Sequence, residues 1–513
     1  MSQQSSGIMP DVEVKSTAMF KVLQNDRVGR YMVANKELAP GEEIITEMPF
    51  VVGPKAFTYP LCLSCYTSWP STSDKPLCSK CGWPVCSTEC ENQPQHKDYE
   101  CQIFVQANEK FNVAEALDET NMNGVPQLEC ITPLRLLLES ERNPEKWNKG
   151  VKDMEAHNKI RSQKEHWKSD HVNVVEYLRK RLKIDRFSEE SIQTACGILE
   201  INTFEVRTAN GYSARALYST VALMNHSCVS NTCHSISPTD YRIRLRTTIK
   251  VPPGGELYGS YTHSLLPTML RREHLLEGKY FACACPRCSD PTELGTHMSS
   301  LKCNKCDNGI VLSLDSLDPE SGWKCTHCEF STSGSAVRKV FQIIHSEVEA
   351  VETISGADGA DAIHERETVM KKYHSVLHPR HAFNTMLRHS LTQMYGRVDE
   401  YLLDDLPDVV LEHKIDMCKL LLQVLDVIEP GYSRVRGMTL YELHAPLLFI
   451  AKTQWNAGVI DEAALKSKMI EASEILKESG TILCLEPPDT PEGQIGLVAK
   501  ESLIQLEQSI LDL

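Results

Sequence analysis

Cysteines in closely spaced pairs are the residues of this sequence with the clearest chemistry. The chain of 513 residues has 20 cysteines, and five pairs of them have the C-x-x-C spacing. A random distribution of this many cysteines would give about 0.8 such pairs. Two cysteines at this spacing suit one tetrahedral zinc ion, whereas disulfides form mainly in oxidising compartments. The spacing therefore indicates metal binding.

The first cluster holds eight residues of the types that zinc prefers, within forty residues of sequence. Its members are Cys62, Cys65, Cys78, Cys81, Cys86, Cys90, His96 and Cys101. Two tetrahedral sites with four ligands each would use all of them. Because so short a segment buries little apolar surface, metal binding would supply much of its folding free energy. Buried free thiols are the alternative, but chance does not explain the regular spacing.

Two further cysteine sets follow later in the chain. Cys283, Cys285 and Cys288 provide three ligands and require a fourth ligand from elsewhere. The other set is complete, with two C-x-x-C pairs that are eighteen residues apart: Cys303, Cys306, Cys325 and Cys328. This pattern is typical of a small zinc ribbon, which often serves only as a scaffold.

Three separated segments contain most of the candidate functional residues outside the cysteine clusters. The first, residues 28–34, is followed by residues 38–45, and their alternation around a Pro-Gly turn predicts two short strands joined by a loop. The second is Met224-Asn225-His226-Ser227-Cys228-Val229-Ser230-Asn231, and the third is Pro253-Gly254-Gly255-Glu256-Leu257-Tyr258-Gly259-Ser260-Tyr261. By itself each segment is unremarkable.

In this order, with the first cysteine cluster after the first segment and Cys283 to Cys288 after the third, these motifs resemble the SET- and MYND-domain family of protein lysine methyltransferases. The resemblance covers roughly residues 20–290. With its added ribbon, the chain resembles the SmydA proteins, the branch of the family that is expanded in arthropods.

The resemblance implies an α+β fold: a β-rich, knotted SET core with an inserted MYND zinc finger, cysteine-rich post-SET and zinc-ribbon segments, and an all-helical C-terminal domain. We expect the following domains: the N-terminal part of the SET core at 15–61, the MYND finger at 62–101, a helical insert at 102–190, the C-terminal part of the core at 191–275, the post-SET zinc segment at 276–290, the ribbon at 300–330 and the helical domain at 336–513.

The resemblance also implies how the ligands group around about four zinc ions per chain. One finger zinc would be held by Cys62, Cys65, Cys86 and Cys90, and the other by Cys78, Cys81, His96 and Cys101. Cys228 would be the missing fourth ligand beside Cys283, Cys285 and Cys288. The distance in sequence between Cys90 and His96 is shorter than is usual for the family.

The activity that the resemblance implies is methyl transfer from S-adenosylmethionine to a lysine amine of a histone or another protein. Tyr261 matches the position of the catalytic aromatic hydroxyl, which would orient the reacting groups through electrostatics. Cofactor-binding positions of the family are matched by Gly29, Arg30, Asn202, Asn225, His226 and Phe281. Structural roles are the alternatives: a core tyrosine, a turn at Asn225 and His226, and a core phenylalanine.

Four positions depart from the family pattern. Tyr31 stands where the loop that cradles the cofactor normally has its second glycine, and glycine permits positive φ and close backbone approach. Ser230 replaces a proline, Gly255 with Glu256 replaces a Glu-Glu pair, and Ala222 replaces a small hydroxyl residue. Tyr31 motivates a second hypothesis, in which a catalytically weak or inactive SET fold serves as an interaction scaffold or transcriptional corepressor.

The last third of the chain has helical periodicity. The apolar residues of 337–351 follow a three-four spacing. Similar segments lie at 384–395, 409–428, 439–455, 463–476 and 495–511. Antiparallel helix pairs near the ~34-residue scale would form a tetratricopeptide-like array. For the partners, we expect a protein substrate with a target lysine and Pro-containing peptides at the finger.

Composition narrows the class of protein. The net charge of −15 argues against nucleic-acid binding as the main role. The first ten residues lack the features of a signal peptide, and the most apolar stretches are shorter than the ~20 residues that span a bilayer. We therefore expect a monomer in the cytoplasm, the nucleus or both, without membrane attachment.

Overall fold

The computed structural model describes residues 12–69, 76–116, 124–353 and 359–513. The first ten residues, on which the expectation about a signal peptide rests, lie outside this range. Within it, no helix is both long enough and apolar enough to cross a membrane. The chain divides into two compact units: unit 1 is Met1–Ile44, Met224–Cys233 and Arg246–Leu513, and unit 2 is Ile45–Leu223 and His234–Leu245.

The strands are short and form several small sheets. In chain order they are β1 (Val12–Ser16), β2 (Phe20–Asn25), β3 (Gly29–Ala34), β4 (Glu43–Glu47), β5 (Val51–Gly53), β6 (Thr203–Arg207), β7 (Ser213–Leu217), β8 (Asn225–His226), β9 (Thr232–Ile236), β10 (Ile243–Thr247), β11 (Tyr258–Gly259), β12 (Leu301–Lys302), β13 (Ile310–Ser313), β14 (Trp323–Cys325) and β15 (Ser331–Thr332). The sheet orders are β1-β2-β3, β4-β10-β9, β5-β7-β6, β8-β11 and β12-β13-β14-β15.

Helices occupy most of the remaining described chain. The α-helices are α1 (Thr88–Asn92), α2 (Pro94–His96), α3 (Gln102–Ala107), α4 (Val113–Ala116), α5 (Pro126–Glu129), α6 (Ile131–Arg142), α7 (Pro144–Lys146), α8 (Asn158–Arg161), α9 (Glu165–Asp170), α10 (Glu189–Asn202), α11 (Thr268–Lys279), α12 (Pro286–Ser289), α13 (Gly334–Thr353), α14 (Ala360–Lys372), α15 (Ala382–Met394), α16 (Asp408–Ile428), α17 (Arg434–Asn456), α18 (Glu462–Leu483) and α19 (Pro491–Asp512). Three segments are π-helical, Lys97–Cys101, Trp147–Val151 and His171–Arg181, and Val221–Leu223 is a 3-10 turn.

Asn231 ties the short strands of unit 1 together. Its side-chain amide donates to the carbonyl oxygen of Glu256 at 2.8 Å, and its Oδ1 accepts from the backbone N–H of Tyr258 at 2.8 Å. On either side of this clamp, β8 pairs in parallel with β11, and β3 exchanges backbone hydrogen bonds with residues 254–257. A parallel pair needs a long connection, and here residues 227–257 provide it.

The predicted strand–loop–strand of residues 28–45 is present as β3 and β4. The second strand begins at Glu43 rather than at Leu38, which instead makes an isolated bridge with Val251. In unit 2, α6 covers Ile131–Arg142, and His171–Arg181 is π-helical. The α+β class is confirmed.

The ribbon and the first helices of the C-terminal region share one hydrophobic core. Trp323 of β14 meets Phe341 of α13 edge to face, with ring centroids 6.0 Å apart. Phe341 also contacts Phe383 of α15, with centroids 5.9 Å apart. The ribbon is therefore an integral layer beneath the helices. From α16 to α19 each helix packs against its predecessor, as expected for the helical array.

This shared core makes the stability of the ribbon depend on α13. Replacing the fully buried Phe341 by alanine should lower the free energy of unfolding by about 3–5 kcal/mol, since it leaves a cavity. Thermal unfolding and the rate of zinc release would measure the effect. Ile343→Ala is the matched control because Ile343, on the same helix, is 59% exposed. If Phe341→Ala left both quantities at the control's values, the shared core would be wrong.

Candidate functional site

Three rings of unit 1 form an aromatic cluster around Tyr261. The ring centroids of His226 and Tyr261 lie 5.4 Å apart, those of His226 and Phe281 lie 5.9 Å apart, and those of Tyr261 and Phe281 lie 6.4 Å apart. The pairing of β8 with β11 brings two of these rings together, because it sets Gly259 opposite His226. Tyr261 follows two residues after the end of β11.

The hydroxyl and the backbone of Tyr261 are both anchored. The hydroxyl donates to the carbonyl oxygen of Met224, and the backbone N–H donates to Nδ1 of His226 at 3.0 Å. Although 37% of the residue's surface is exposed, burial of the hydroxyl raises the pKa of Tyr261. The phenol therefore stays protonated near neutral pH, so it acts as an oriented dipole and not as a base.

Asn225 is oriented by the carboxylate of Glu256, a residue to which the motif alone assigns no role. Its Nδ2 donates to Oε1 of Glu256 at 3.1 Å, and the hydroxyl of Tyr258 donates to Oε2 of the same residue at 2.7 Å. Burial, and then the Glu256 carboxylate, raise the pKa of Tyr258. Glu256 thus fixes which way the amide of Asn225 points, because a carboxylate accepts only from its NH2 group.

The predicted cradle lies at the start of β3. Gly29 has φ +70°, and a Cβ added there would meet no atom within 4 Å, so open space lies beside it. Tyr31 is in the extended strand, paired with Leu23 of β2, and only 8% of it is exposed. The departure at Tyr31 therefore imposes no positive φ. Its side chain is nevertheless far larger than the glycine that the family has at this position.

Asn202 belongs to unit 2 and has partners there. At the C-terminus of α10 its amide donates to the carbonyl oxygens of Glu155, at 3.0 Å, and Ile198, at 2.9 Å. These bonds satisfy both donors of the amide. Arg30 is half-buried on β3. It belongs to unit 1, as do Gly29, Asn225, His226, Tyr261 and Phe281.

The sixteen predicted metal ligands meet in four groups of four. The membership of three groups is the one that the resemblance implies, and that of the ribbon group is the one predicted from spacing. Within each group the ligand atoms lie within 4.8 Å of one another: Cys62, Cys65, Cys86 and Cys90; Cys78, Cys81, His96 and Cys101; Cys228, Cys283, Cys285 and Cys288; Cys303, Cys306, Cys325 and Cys328. All twenty cysteines are free. Zinc occupancy stays a prediction.

Sulfur–sulfur distances test whether zinc fits. A tetrahedral zinc ion with Zn–S bonds of about 2.3 Å separates its sulfurs by about 3.8 Å. The Sγ atoms of Cys78 and Cys101 are 3.8 Å apart. Those of Cys228 and Cys283 are 4.0 Å apart, and in the ribbon those of Cys306 and Cys325 are 3.7 Å apart. In the group of Cys62 the distances are shorter, since the Sγ of Cys86 lies 3.5 Å from that of Cys65 and 3.3 Å from that of Cys90. Covalent disulfides are far shorter still, at about 2.05 Å, so all four groups are compatible with zinc.

A π-helical turn sets the geometry between the last two ligands of the finger, His96 and Cys101. The helices α1 and α2 carry Cys90 and His96, and the π-helix Lys97–Cys101 follows directly. Because a π-helix bonds i to i+5, it brings Cys101 back under His96. The Nε2 atom of His96 lies 3.4 Å from the Sγ of Cys81, within the ligand group.

A buried carboxylate orients the His96 ring. Its Nδ1 lies 2.9 Å from Oε1 of Glu100, which in turn accepts from Arg135 of α6 at 2.7 Å. Burial is the largest influence and would raise the pKa of Glu100, but the charge of Arg135 and the hydrogen bonds from His96 and Arg135 together lower that pKa. Such outer partners fix the tautomer of a ligating histidine. The sequence signal for Glu100 was only its place four residues after His96.

Positive charge surrounds the group that contains Cys228. The Nε of Arg271 lies 3.4 Å from the Sγ of Cys228, and its Nη2 lies 3.6 Å from the Sγ of Cys288. Glu293 joins Arg271 to Arg287, with a distance of 2.8 Å to each. Burial favours the neutral acid, but the two arginines outweigh it and lower the pKa of Glu293 to about 2.

All three of these ionic side chains are fully buried. Sequence reasoning missed them because neither residue type nor spacing marks such a network. The network places cations beside the four sulfurs, where four thiolates around a single divalent ion would leave a net negative charge.

Comparison with known proteins agrees with this geometry. The sequence description of the SET domain family matches residues 29–262. The chain is 29% identical to SET domain-containing protein SmydA-8, isoform B, of Drosophila melanogaster over 326 residues, 60% of this chain and 66% of the relative. It is 26% identical to N-lysine methyltransferase SMYD2 of Homo sapiens over 259 residues, 47% of this chain and 56% of that protein.

A solved structure, the SET domain of LSMT bound to lysine and AdoHcy, covers 86% of this chain and 90% of its own, at 12% identity and a TM-score of 0.24. That score is too low to define a common arrangement. The chain spans a little under two thirds of the length of the SmydA-8 isoforms that it matches, 66% and 63%.

These findings define the class: residues 29–262 match the SET domain family. The predicted resemblance to the SET- and MYND-domain family, and within it to the SmydA branch, is confirmed.

The contact between His96 and Glu100 predicts a dependence of metal affinity on the carboxylate. Glu100→Gln should weaken zinc binding at the group of Cys78, Cys81, His96 and Cys101 by about 10–100-fold, because outer partners of ligating histidines act at this scale. Competition with a chromogenic chelator would measure it. Glu145→Gln is the control, since Glu145 is exposed and pairs with Lys149 alone among the contacts described. Equal zinc release from the two variants would contradict the prediction.

Proposed function

We propose that this protein transfers a methyl group from S-adenosylmethionine to lysine side chains of another protein. The observation that carries the proposal is the arrangement at Tyr261, whose hydroxyl meets the carbonyl of Met224 beside the rings of His226 and Phe281. The similarity to SMYD2, whose name states an N-lysine methyltransferase, supports the same reaction class.

The chain's residues would act by position and electrostatics. S-adenosylmethionine supplies an activated methyl group on a sulfonium when it is bound. Tyr261 directs oxygen lone pairs to its surroundings while its proton is held by Met224. Such fixed dipoles stabilise positive charge as it moves from sulfur to nitrogen, without reorganisation. The lysine must lose its proton to water first, and a desolvated channel favours the neutral amine.

The residues present fit the cofactor. Open space beside Gly29 admits a close approach, Asn225 has an amide fixed by Glu256, and Phe281 offers an aromatic face. Gly29, Arg30, Asn225, His226 and Phe281 would hold the cofactor. We keep Asn202 as a further proposed contact, although its amide has backbone partners in unit 2.

The proposal extends to metal, partners and location. Four zinc ions would hold the four ligand groups, each in a structural role, because every group supplies four protein ligands and leaves no open coordination position. We propose a histone or non-histone protein substrate, Pro-containing peptides at the finger, a monomeric state, and residence in the cytoplasm, the nucleus or both.

Removing a single oxygen tests the role of Tyr261. Tyr261→Phe should reduce methyl transfer by about 100-fold or more, the scale seen when one transition-state dipole is removed, while S-adenosylmethionine binds as in the wild type. Calorimetry measures binding, with about −8 kcal/mol for micromolar affinity. Incorporation of radioactive methyl groups on a lysine-peptide array measures transfer.

The control for this variant is Tyr59→Phe, since Tyr59 is 66% exposed and lies in unit 2. Undiminished transfer by Tyr261→Phe would remove Tyr261 from the mechanism.

The second candidate is a scaffold that has lost the cofactor. The observation that favours it is Tyr31, which is buried in β3 and lies close enough to Tyr258 to influence it electrostatically. Tyr258 shares Glu256 with Asn225. A bulky side chain therefore lies near the place where the family has only glycine.

Calorimetry on two Tyr31 variants distinguishes the candidates. On the enzyme proposal the wild type binds S-adenosylmethionine with micromolar affinity, about −8 kcal/mol, and Tyr31→Gly binds no more than about tenfold tighter. No binding by the wild type, with binding restored in Tyr31→Gly, would favour the scaffold. Tyr31→Phe is the control for the hydroxyl, and the zinc content of each variant verifies that the fold is retained.

A further inference from the structure

His226 has two hydrogen-bond partners on opposite sides of its ring. Nδ1 lies 3.0 Å from the backbone nitrogen of Tyr261, and Nε2 lies 3.2 Å from the Sγ of Cys228. A backbone N–H can only donate, so Nδ1 must be the acceptor nitrogen. In the neutral ring the proton is then on Nε2. The ring therefore donates to the sulfur, and a single tautomer serves both contacts.

The sulfur that accepts this bond is a predicted zinc ligand. A cysteine that ligates zinc does so as a thiolate, and bonds to an ionised acceptor are about twice as strong as neutral ones. Arg271 donates to the same sulfur at 3.4 Å. With zinc present, Cys228 is thus a fixed and negatively charged anchor for the His226 ring.

Tyr261 depends on this anchor because strand pairing ends before it. The ladder between β8 and β11 closes at Gly259, and the N–H of Tyr261 turns to the His226 ring instead of to a neighbouring strand. The hydroxyl is held by Met224. Both anchors of Tyr261 therefore belong to residues 224–228, the segment whose last residue is the metal ligand.

We propose that His226 is a positioning residue that transmits metal occupancy at Cys228, Cys283, Cys285 and Cys288 to the orientation of Tyr261. The proposal deepens the role of a residue that the resemblance assigned to cofactor binding, and its catalytic consequence rests on the proposed methyl transfer. The route is distinct from the one through the chain to Phe281, which lies two residues before Cys283.

Three substitutions separate the two bonds of the ring. Asparagine places its amide oxygen near the position of Nδ1, so His226→Asn keeps the acceptor for Tyr261 and loses the contact with Cys228. Glutamine reaches the position of Nε2, so His226→Gln keeps the donor to Cys228 and loses the acceptor. His226→Leu loses both. His364→Asn is the control, because His364 is exposed on α14 in the same unit.

The direct measurement exchanges the metal and observes the tyrosine. The protein is prepared with 3-fluorotyrosine, the fluorine signal of Tyr261 is assigned by its absence in Tyr261→Phe, and spectra are recorded with zinc and then with cadmium in all sites. Because the larger ion displaces the sulfur of Cys228, the Tyr261 signal should shift in the wild type. In His226→Gln, which lacks the acceptor for Tyr261, the shift should be smaller or absent. It should also lose its response in His226→Asn and His226→Leu, and keep it in His364→Asn.

Cadmium-113 spectra of the same samples report on the sulfur side. The signal of the Cys228 site should shift in His226→Asn and His226→Leu and remain near the wild-type position in His226→Gln, which retains the donor. Methyl transfer at saturating S-adenosylmethionine should fall about 10–100-fold in all three variants, the scale for outer partners of a metal site. Saturation removes the contribution that His226 makes to holding the cofactor.

Two results would overturn the proposal. One is a Tyr261 signal in the wild type that does not respond to the metal exchange. The other is a Tyr261 signal in His226→Leu that keeps its full response to the metal exchange, which would show that the ring does not transmit it. Because the fluorine and cadmium spectra need no activity, a wild type that shows the coupling without methyl transfer would contradict the proposed function alone.

Discussion

Unit 1 depends on the electrostatic balance at one metal position. Four sulfurs converge from Cys228 and from Cys283 to Cys288, and burial of their thiolates without a cation would be strongly unfavourable. A divalent ion neutralises only half of four negative charges, and the fully buried Arg271, which Glu293 holds in place, lies against two of the sulfurs. The balance therefore joins the segment of Asn225 and His226 to the segment that carries Phe281.

The same physical device recurs in unit 2 with a different chemistry. There the ligand group of the finger includes an imidazole, and the balancing pair is Glu100 with Arg135, both buried. Arg135 also donates to the carbonyl oxygens of Val52 and Leu63 and to the hydroxyl of Tyr66. One arginine of α6 thus fixes β5, the finger and the histidine together, so the helical insert contributes to the finger directly.

The sequence predicted the ligand groups better than anything around them. Ligand type and spacing are local properties, so Cys303 to Cys328 could be grouped from spacing alone, and the interleaved finger from a known order of pairs. Arg271, Glu293 and Arg287 could not be found, because their role arises only when distant segments meet. The π-helix Lys97–Cys101 also escaped prediction, since hydrophobic periodicity does not distinguish five-residue bonding. In the helical region the segment of α14 was not predicted, whereas α13 and α15 to α19 were.

Tyr31 shows how far a motif departure can be interpreted from structure. Glycine permits two separate things, positive φ and close approach, and a substitution need not violate both. The extended backbone of β3 needs no positive φ at Tyr31, whereas Gly29, two residues earlier, has φ +70° and open space beside it. The cradle therefore retains the glycine on which its backbone depends. What distinguishes an enzyme from a scaffold here is the volume of the Tyr31 side chain, which affects the free energy of cofactor binding and not the fold.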